Sequence, residues 1–165
     1  MTRGDGIELK VLGKRTRKAP HDLGVYRINH DRLGDLVVVV VEIIPPGTDM
    51  GPEANLVMVY GKPNSLDENQ LCTIFYSGML LIGPKIINHT MWRDGYCEYL
   101  CDHEPIEGYV AIFRDFVYGL DPEPTIHIVN QYGEEITPPD GIDIENAPVY
   151  GLGNAATLCQ YLEDL

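Results

Sequence analysis

The sequence predicts an α+β fold: a single strand-rich domain over residues 1–165, with a twisted, mainly antiparallel sheet and a C-terminal helix. A length of 165 residues is typical of one domain. The run Val37–Val41 consists of five β-branched residues that favour an extended backbone, so it predicts a central strand buried on both faces. After Asn154, a suitable N-cap, apolar residues recur at helical spacing, which predicts one helix packed on the sheet: Leu158, Tyr161, Leu162 and Leu165.

Shorter apolar segments between Gly, Pro and Asn turns predict the other strands. They lie at 7–12, 25–28, 55–60, 71–76, 79–82, 96–101, 109–113 and 126–129. Ser65 and Glu68 have the spacing of a capping box and predict a short helical turn. Residues 133–148 are rich in Pro, Asp and Glu, and we expect an exposed but ordered loop there.

Charge is the most unusual global property of the chain. The net charge is −13, and its two signs are segregated: residues 1–32 carry eight basic and four acidic side chains, whereas residues 33–165 carry four and twenty-one. An acidic surface repels nucleic acid and anionic lipid, and it accelerates encounter with a basic partner. We therefore expect neither a nucleic-acid nor a membrane partner.

The cysteines and the hydropathy pattern bear on the compartment. Four cysteines are too few for a disulfide-stapled scaffold, so we expect reduced thiols at Cys72, Cys97, Cys101 and Cys159. The N-terminus lacks the apolar core of a secretory signal, and the longest apolar run, Leu36–Val41, ends at Glu42. Together these observations predict a cytoplasmic protein.

No motif predicts catalysis, a metal or a cofactor. Cys97, Cys101 and His103 resemble zinc-ligand spacing, but residues four apart in a strand are about 13 Å apart, too far to share one ion. The five histidines are dispersed, and neither serine lies in a nucleophile motif. The carboxylate pairs of the 133–148 loop are expected to be solvated. We therefore expect no enzyme, no metal site, no cofactor and no small-molecule substrate.

Three stretches of the chain contain recognisable motifs. In the first, residues 9–18 lead into 24–28 and the long valine strand; in the second, Leu80–Tyr96 contains Leu-Leu-Ile-x-Pro followed by Asn, Trp and Gly-Tyr; in the third, Asn130-x-Tyr-Gly-Glu-Glu precedes Tyr150-Gly-Leu-Gly. Together these stretches resemble the immunity protein 26 family of bacterial polymorphic toxin systems. The chain departs from the family pattern at 21–23, where a Gly-Asp commonly opens the strand. The resemblance implies a non-enzymatic α+β protein that binds and neutralises a cognate toxin, with a basic nuclease as one expected class.

Such an inhibitor would use carboxylates and aromatic anchors to cover the active or substrate-binding surface of the toxin. The expected partner-binding residues are Glu134, Glu135, Asp140, Asp143, Glu145, Tyr132 and Tyr150. Trp92 is expected in the core. Two alternatives remain at this stage: an acidic adaptor module unrelated to toxins, and a small hydrolase, which would need polar groups that converge in a cleft.

Overall fold

The main sheet contains six of the eight strands in the described part of the chain. The computed structural model describes residues 8–47, 53–61, 79–106, 108–117, 119, 123 and 125–165. The elements are β1 (Gly24–His30), β2 (Gly34–Ile44), β3 (Ala54–Gly61), β4 (Met79–Ile87), α1 (Thr90–Arg93), β5 (Glu98–Asp102), β6 (Phe113–Val117), β7 (Thr125–Val129), β8 (Leu152–Gly153) and α2 (Ala155–Glu163). The sheet order is β5-β1-β2-β3-β4-β8, and β6 and β7 form a separate antiparallel ribbon.

Strand β2 lies inside the sheet between β1 and β3, as the valine run predicts. Val38 and Val40 belong to the core on one face, whereas Val37, Val39 and Val41 belong to the core on the other. All five valines are at most 5% exposed. Only the β4–β8 pair is parallel among the described strands, so the predicted α+β class with a mainly antiparallel sheet is confirmed.

Different elements cover the two faces of the sheet. Helix α2 packs on one face through Ala155, Leu158, Cys159 and Leu162, and the buried Trp92 from α1 joins the same core. The ribbon contributes Phe113 and Val129 to the core on the opposite face. The main sheet is therefore the middle of three layers. The helices in the described part of the chain are too short or too polar to cross a bilayer.

The predicted start of the C-terminal helix is confirmed. The Asn154 side chain accepts a hydrogen bond from the Thr157 amide at 3.0 Å, and the Thr157 hydroxyl accepts one from the Asn154 amide at 3.2 Å. This reciprocal pair satisfies amides that have no partner within the helix.

Other predicted elements differ from the structure or lie outside its described part. The sixth strand begins at Phe113 and not at 109, because Ala111 donates its amide to a side chain, the Gln131 amide oxygen, and not to a neighbouring strand. Leu9 makes only an isolated bridge with His30. Helix α1 has no predicted counterpart. The strand expected at 71–76 and the turn expected at Ser65 fall outside the described residues.

The basic segment 10–18 is held against α1 by its backbone. The Leu12 and Gly13 amides donate to the Gly95 carbonyl, and the Thr16 amide donates to the Arg93 carbonyl at 3.0 Å. Gly95 has a φ of +80°, and a Cβ there would lie 2.5 Å from the Gly13 carbonyl oxygen. Only glycine tolerates both conditions.

Replacing Leu158 with alanine tests the packing of α2 on the sheet. Leu158 is fully buried, so Leu158→Ala should lower the free energy of unfolding by about 2–5 kcal/mol. Leu165→Ala is the matched control, because Leu165 is 56% exposed and its loss should cost less than about 0.5 kcal/mol. Urea unfolding followed by the fluorescence of the single tryptophan measures both. Equal effects would contradict the packing described here.

Candidate functional site

The site begins with a bulge in strand β2 that turns Glu42 towards the ribbon. The pairing of β2 with β3 shifts register between Val40 and Glu42, so Val41 is an extra residue. A bulge of one residue places two successive side chains on the same face of a sheet. Val41 belongs to the core on the ribbon side, and Glu42 contacts residues of the turn after β7 on that side.

That turn holds both oxygens of the Glu42 carboxylate. The Tyr132 hydroxyl donates to Oε1, and the Gln131 amide donates to Oε2 at 3.1 Å. Gln131 is 2% exposed; its amide nitrogen also donates to the Tyr109 carbonyl, while its oxygen accepts from the Ala111 amide. The turn thus fixes the position of the carboxylate.

Asn130 shapes the same turn and connects it to the acidic loop. Its side-chain oxygen accepts hydrogen bonds from the Tyr132 and Glu134 amides at 2.9 and 3.0 Å. Its amide group donates to the Glu134 carboxylate at 2.9 Å. Because Asn130 is buried, this network orients the start of the loop relative to Glu42.

A cavity of about 450 Å³ lies in front of Glu42, and we call it the Glu42 pocket. It is lined by Asp22, Leu23, Val41, Glu42, Pro105, Ile106, Gly108, Tyr109 and Tyr132. Burial raises the pKa of both tyrosines to about 12, and in Tyr132 the hydrogen bond to Glu42 adds to that effect. Both phenols therefore stay protonated at physiological pH, and Tyr132 keeps its donor role.

One edge of the pocket has an unusual backbone. Leu23 has a φ of +63°, a conformation that costs free energy in any residue with a side chain. The buried His103 supports this edge, because its backbone amide donates to the Leu23 carbonyl at 2.9 Å. The His103 ring nitrogens lie 2.9 and 2.8 Å from the carbonyl oxygens of Val40 and Glu104. His103 therefore connects the Leu23 edge to β2 next to the bulge.

The five predicted acidic contact residues lie in an exposed loop, residues 133–146, which we call the acidic loop. Glu134, Glu135, Asp140, Asp143 and Glu145 are all exposed. Both ends of the loop are fixed: Val129 bridges to Glu135, and Arg114 donates its side chain to the Ala147 carbonyl at 2.7 Å. Two isoleucines alternate with the acids, Ile142 at 41% and Ile144 at 38% exposure. The loop thus presents both charge and apolar surface.

The two predicted aromatic contacts have different environments. Tyr132 lines the Glu42 pocket and is half-buried. Tyr150 is only 9% exposed, and its ring packs edge-on against Phe113 with 5.7 Å between centroids. Tyr150 is therefore a core residue in this structure, and we leave it out of the contact surface proposed below.

Sequence reasoning did not identify Glu42, Gln131 or His103 as residues of a pocket. In the sequence, Glu42 marks only the end of an apolar run. A single carboxylate directly after five buried valines was the available signal, because carboxylates in such strands need partners. Nothing in the sequence pointed to Gln131, whose role depends on where the turn after β7 meets β2.

The expectation that all four cysteines are reduced is wrong at Cys101, which is disulfide-bonded. Cys97 and Cys159 are free thiols, and burial raises the pKa of both. Cys72 lies outside the described residues. Because Cys101 carries no thiol, it cannot join Cys97 and His103 in a zinc site.

The cluster of Glu8, His30 and Glu163 has the residue types of a metal site. The hydrogen bonds of the His30 ring, however, place a proton on the nitrogen that faces the carboxylates. The Nε2 atom of the fully buried His30 lies 2.9 Å from Glu163 and 3.7 Å from Glu8. The Arg32 and Leu33 amides both donate to His30 Nδ1, at 3.2 and 3.1 Å. Nε2 must then carry the ring proton, which faces the Glu163 and Glu8 carboxylates and leaves no lone pair for a metal there. The cluster joins the segment before β1 to the C-terminal helix.

A second histidine cluster lies beside a cavity of about 400 Å³. The buried Asn55 amide contacts His89 Nδ1 at 2.8 Å, and His89 Nε2 lies 3.2 Å from Glu53. The nearby Thr90 hydroxyl is already bonded, since it donates to Asn88 and accepts from the Ala155 amide. The cluster thus resembles the base and orienting group of a triad, without an activated nucleophile among the described residues.

Comparison of the chain with protein-family models, with curated proteins and with solved structures finds no match. The resemblance to the immunity protein 26 family therefore stays a prediction from its three sequence stretches.

The His30 cluster predicts that the protein loses stability in mild acid. Burial lowers the pKa of His30 below 6.5 in the folded state, so the unfolded chain takes up this proton first as the pH falls. The stability from a neutral His30 is then present above pH 6.5 and is lost below it. In the folded state, a hydrogen bond with Glu8 lowers the pKa of Glu163 from 4.5. This shift also makes stability fall as the pH falls, but in a lower pH range.

His30→Gln should therefore reduce the loss of unfolding free energy between pH 7.5 and pH 5.5. Urea unfolding at the two pH values measures it, and His21→Gln is the control because the His21 side chain is 58% exposed. An unchanged pH dependence in His30→Gln would show that another group controls it.

Proposed function

We propose that this chain is an immunity protein that binds a cognate bacterial toxin with a basic surface and covers the active or substrate-binding surface of that toxin. The acidic loop carries the proposal. It presents five exposed carboxylates, and the sequence contains no Lys or Arg after Arg114. Such a one-signed surface attracts a basic protein over distances longer than direct contacts.

The apolar residues of the acidic loop support binding to a protein. Interfaces combine desolvated apolar contacts near their centre with a polar rim. Ile142 and Ile144 stand between Asp140, Asp143 and Glu145, so one segment offers both parts. A toxin that binds nucleic acid would present basic side chains for phosphates, and carboxylates could occupy the same positions.

The composition of the cavities favours binding over hydrolysis. The Glu42 pocket meets the first condition for a hydrolase, because carboxyl and phenol groups converge in a cleft. Among the described residues, however, its lining includes no Ser, Cys, His or Lys, and its two tyrosines have raised pKa values that disfavour phenolate nucleophiles. The His89 cluster has a base, but the described residues beside it include no activated nucleophile. We therefore propose a role without catalysis.

Neutralising three acids of the loop tests the proposed interface. The variant Glu135→Gln, Asp140→Asn and Glu145→Gln should slow association with the cognate toxin by about tenfold at low salt, because electrostatic steering is lost. The difference should shrink as salt is added, since the screening length is about 8 Å at physiological ionic strength. Stopped-flow or biolayer measurements of the association rate give the result.

The control changes the same net charge outside the loop, with Asp94→Asn, Glu123→Gln and Asp164→Asn. It should leave the association rate nearly unchanged. If both triple variants slow association equally, net charge and not the loop is responsible. If co-expression with the cognate toxin does not restore growth, the immunity proposal fails and the adaptor alternative gains support.

Cytoplasmic residence is part of this proposal, but the disulfide at Cys101 argues against it and therefore provides a direct test. Disulfides are rare in the reducing cytosol. A thiol-alkylating reagent added to living cells, followed by peptide mass spectrometry, should label Cys101 if the protein resides there. Protection of Cys101 until a reductant is added would place the protein in an oxidising compartment.

A further inference from the structure

We infer that the Glu42 pocket binds an arginine side chain of the protein partner. This inference rests on the proposed function for the identity of the partner, but the pocket argument uses only the residues that line it. The pocket would recognise one chemical group, the guanidinium of arginine, whereas the acidic loop alone attracts positive charge in general.

The Glu42 pocket contains two carboxylates. Glu42 and Asp22 both line the pocket, and in the described part of the chain neither carboxylate pairs with a Lys, Arg or His side chain. The hydrogen-bond donors to Glu42 are the neutral Gln131 amide and the neutral Tyr132 hydroxyl. Carboxylates that are partly removed from water are usually paired with a cation. Among the described residues, therefore, no cation neutralises these two carboxylates, and a ligand can supply one.

Both oxygens of the Glu42 carboxylate have room for a further hydrogen-bond donor. Gln131 occupies one position on Oε2, and Tyr132 occupies one position on Oε1. A carboxylate has about four acceptor positions, so the described contacts leave one on each oxygen. A guanidinium presents two parallel N–H groups that match two carboxylate oxygens, whereas an ammonium is a point charge. The fixed Glu42 carboxylate thus favours arginine over lysine.

The walls and the volume of the Glu42 pocket suit a single cationic side chain. Tyr109 and Tyr132 line the cavity, and tyrosine rings attract cations through their faces. A volume of about 450 Å³ lies at the small end of the range for ligand sites, and it accommodates one side chain with some water. Carboxylate, aromatic surface and limited volume together match a single guanidinium group.

The Glu42 pocket lies next to the start of the acidic loop. Residues 130–134 belong to one hydrogen-bonded turn: Tyr132 contacts Glu42, and Glu134 begins the loop. A basic partner drawn towards the loop therefore arrives next to the pocket. The loop supplies long-range attraction, and the pocket supplies a short-range, oriented contact.

The test uses small probes and needs no toxin. Nα-acetyl-arginine N-methylamide is titrated into the full chain, with Nα-acetyl-citrulline N-methylamide as a neutral isostere and the acetyl-lysine analogue as a second cation. Two-dimensional NMR of amides and tyrosine rings reports the binding. We expect saturable shifts at Tyr109, Tyr132 and Gln131 with arginine, in about the millimolar range. Lysine should bind more weakly, and citrulline about tenfold or more weakly.

Variants separate the pocket from general charge attraction. Glu42→Gln should reduce arginine affinity about tenfold, because the bidentate charged contact is lost. Glu145→Gln changes the same charge in the loop and should leave arginine affinity unchanged. If Glu42→Gln does not fold, Asp22→Asn provides the test, since Asp22 lies at the pocket and makes no ion pair in the described chain. Asp22→Asn should weaken arginine binding several-fold and leave the urea unfolding midpoint near that of the wild type.

Three results would overturn the inference: equal binding of citrulline and arginine, shifts confined to the acidic loop and lost in Glu145→Gln, or no saturable binding. The outcome is distinguishable from that of the toxin experiments. Toxin neutralisation without arginine binding rejects the pocket alone. Arginine binding without a toxin partner supports the pocket and rejects the immunity proposal.

Discussion

The architecture depends on a strand that is buried on both faces and still has to accommodate a carboxylate at its end. Strand β2 supplies valines to two cores, so a regular continuation would carry Glu42 to the helix-covered face with Val38 and Val40. Burial of a carboxylate among apolar side chains is costly without partners. The bulge at Val41 places Glu42 on the ribbon side instead, where a buried glutamine and a tyrosine hydroxyl can bind it.

The ribbon and its turn follow from the same constraint. Gln131 binds the Ala111 amide, the Tyr109 carbonyl and the Glu42 carboxylate, so one side chain connects the segment before β6, the turn after β7 and the main sheet. A side chain with three such partners keeps its position only if the surrounding backbone is fixed. The result is a rigid base for the cavity, with strain retained at one edge, where Leu23 adopts a positive φ.

Features governed by local sequence were predictable, and features governed by distant contacts were not. The valine strand follows from β-branching, and the start of α2 follows from the capping chemistry of Asn154. The bulge depends on how β2 pairs with β3, and the role of Gln131 depends on the position of the ribbon. The disulfide at Cys101 also depends on tertiary proximity, which cysteine spacing does not reveal. In the same way, the acidity of the loop was visible in the sequence, whereas the burial of Tyr150 against Phe113 was not.

The loop and the pocket differ in how they can discriminate between partners. Exposed carboxylates on a loop attract any basic protein, and exposed ion pairs contribute little to affinity, about 0–1 kcal/mol each. Specificity needs a binding group that is left without a hydrogen-bond or ion-pair partner when the wrong protein binds. Glu42 meets that requirement, because its position is fixed by Gln131 and Tyr132 and its described neighbours supply no cation. A partner that lacks a suitably placed guanidinium would have to desolvate this carboxylate without compensation. Under the proposed function, the surface would attract many basic proteins and still select one that presents arginine at the pocket.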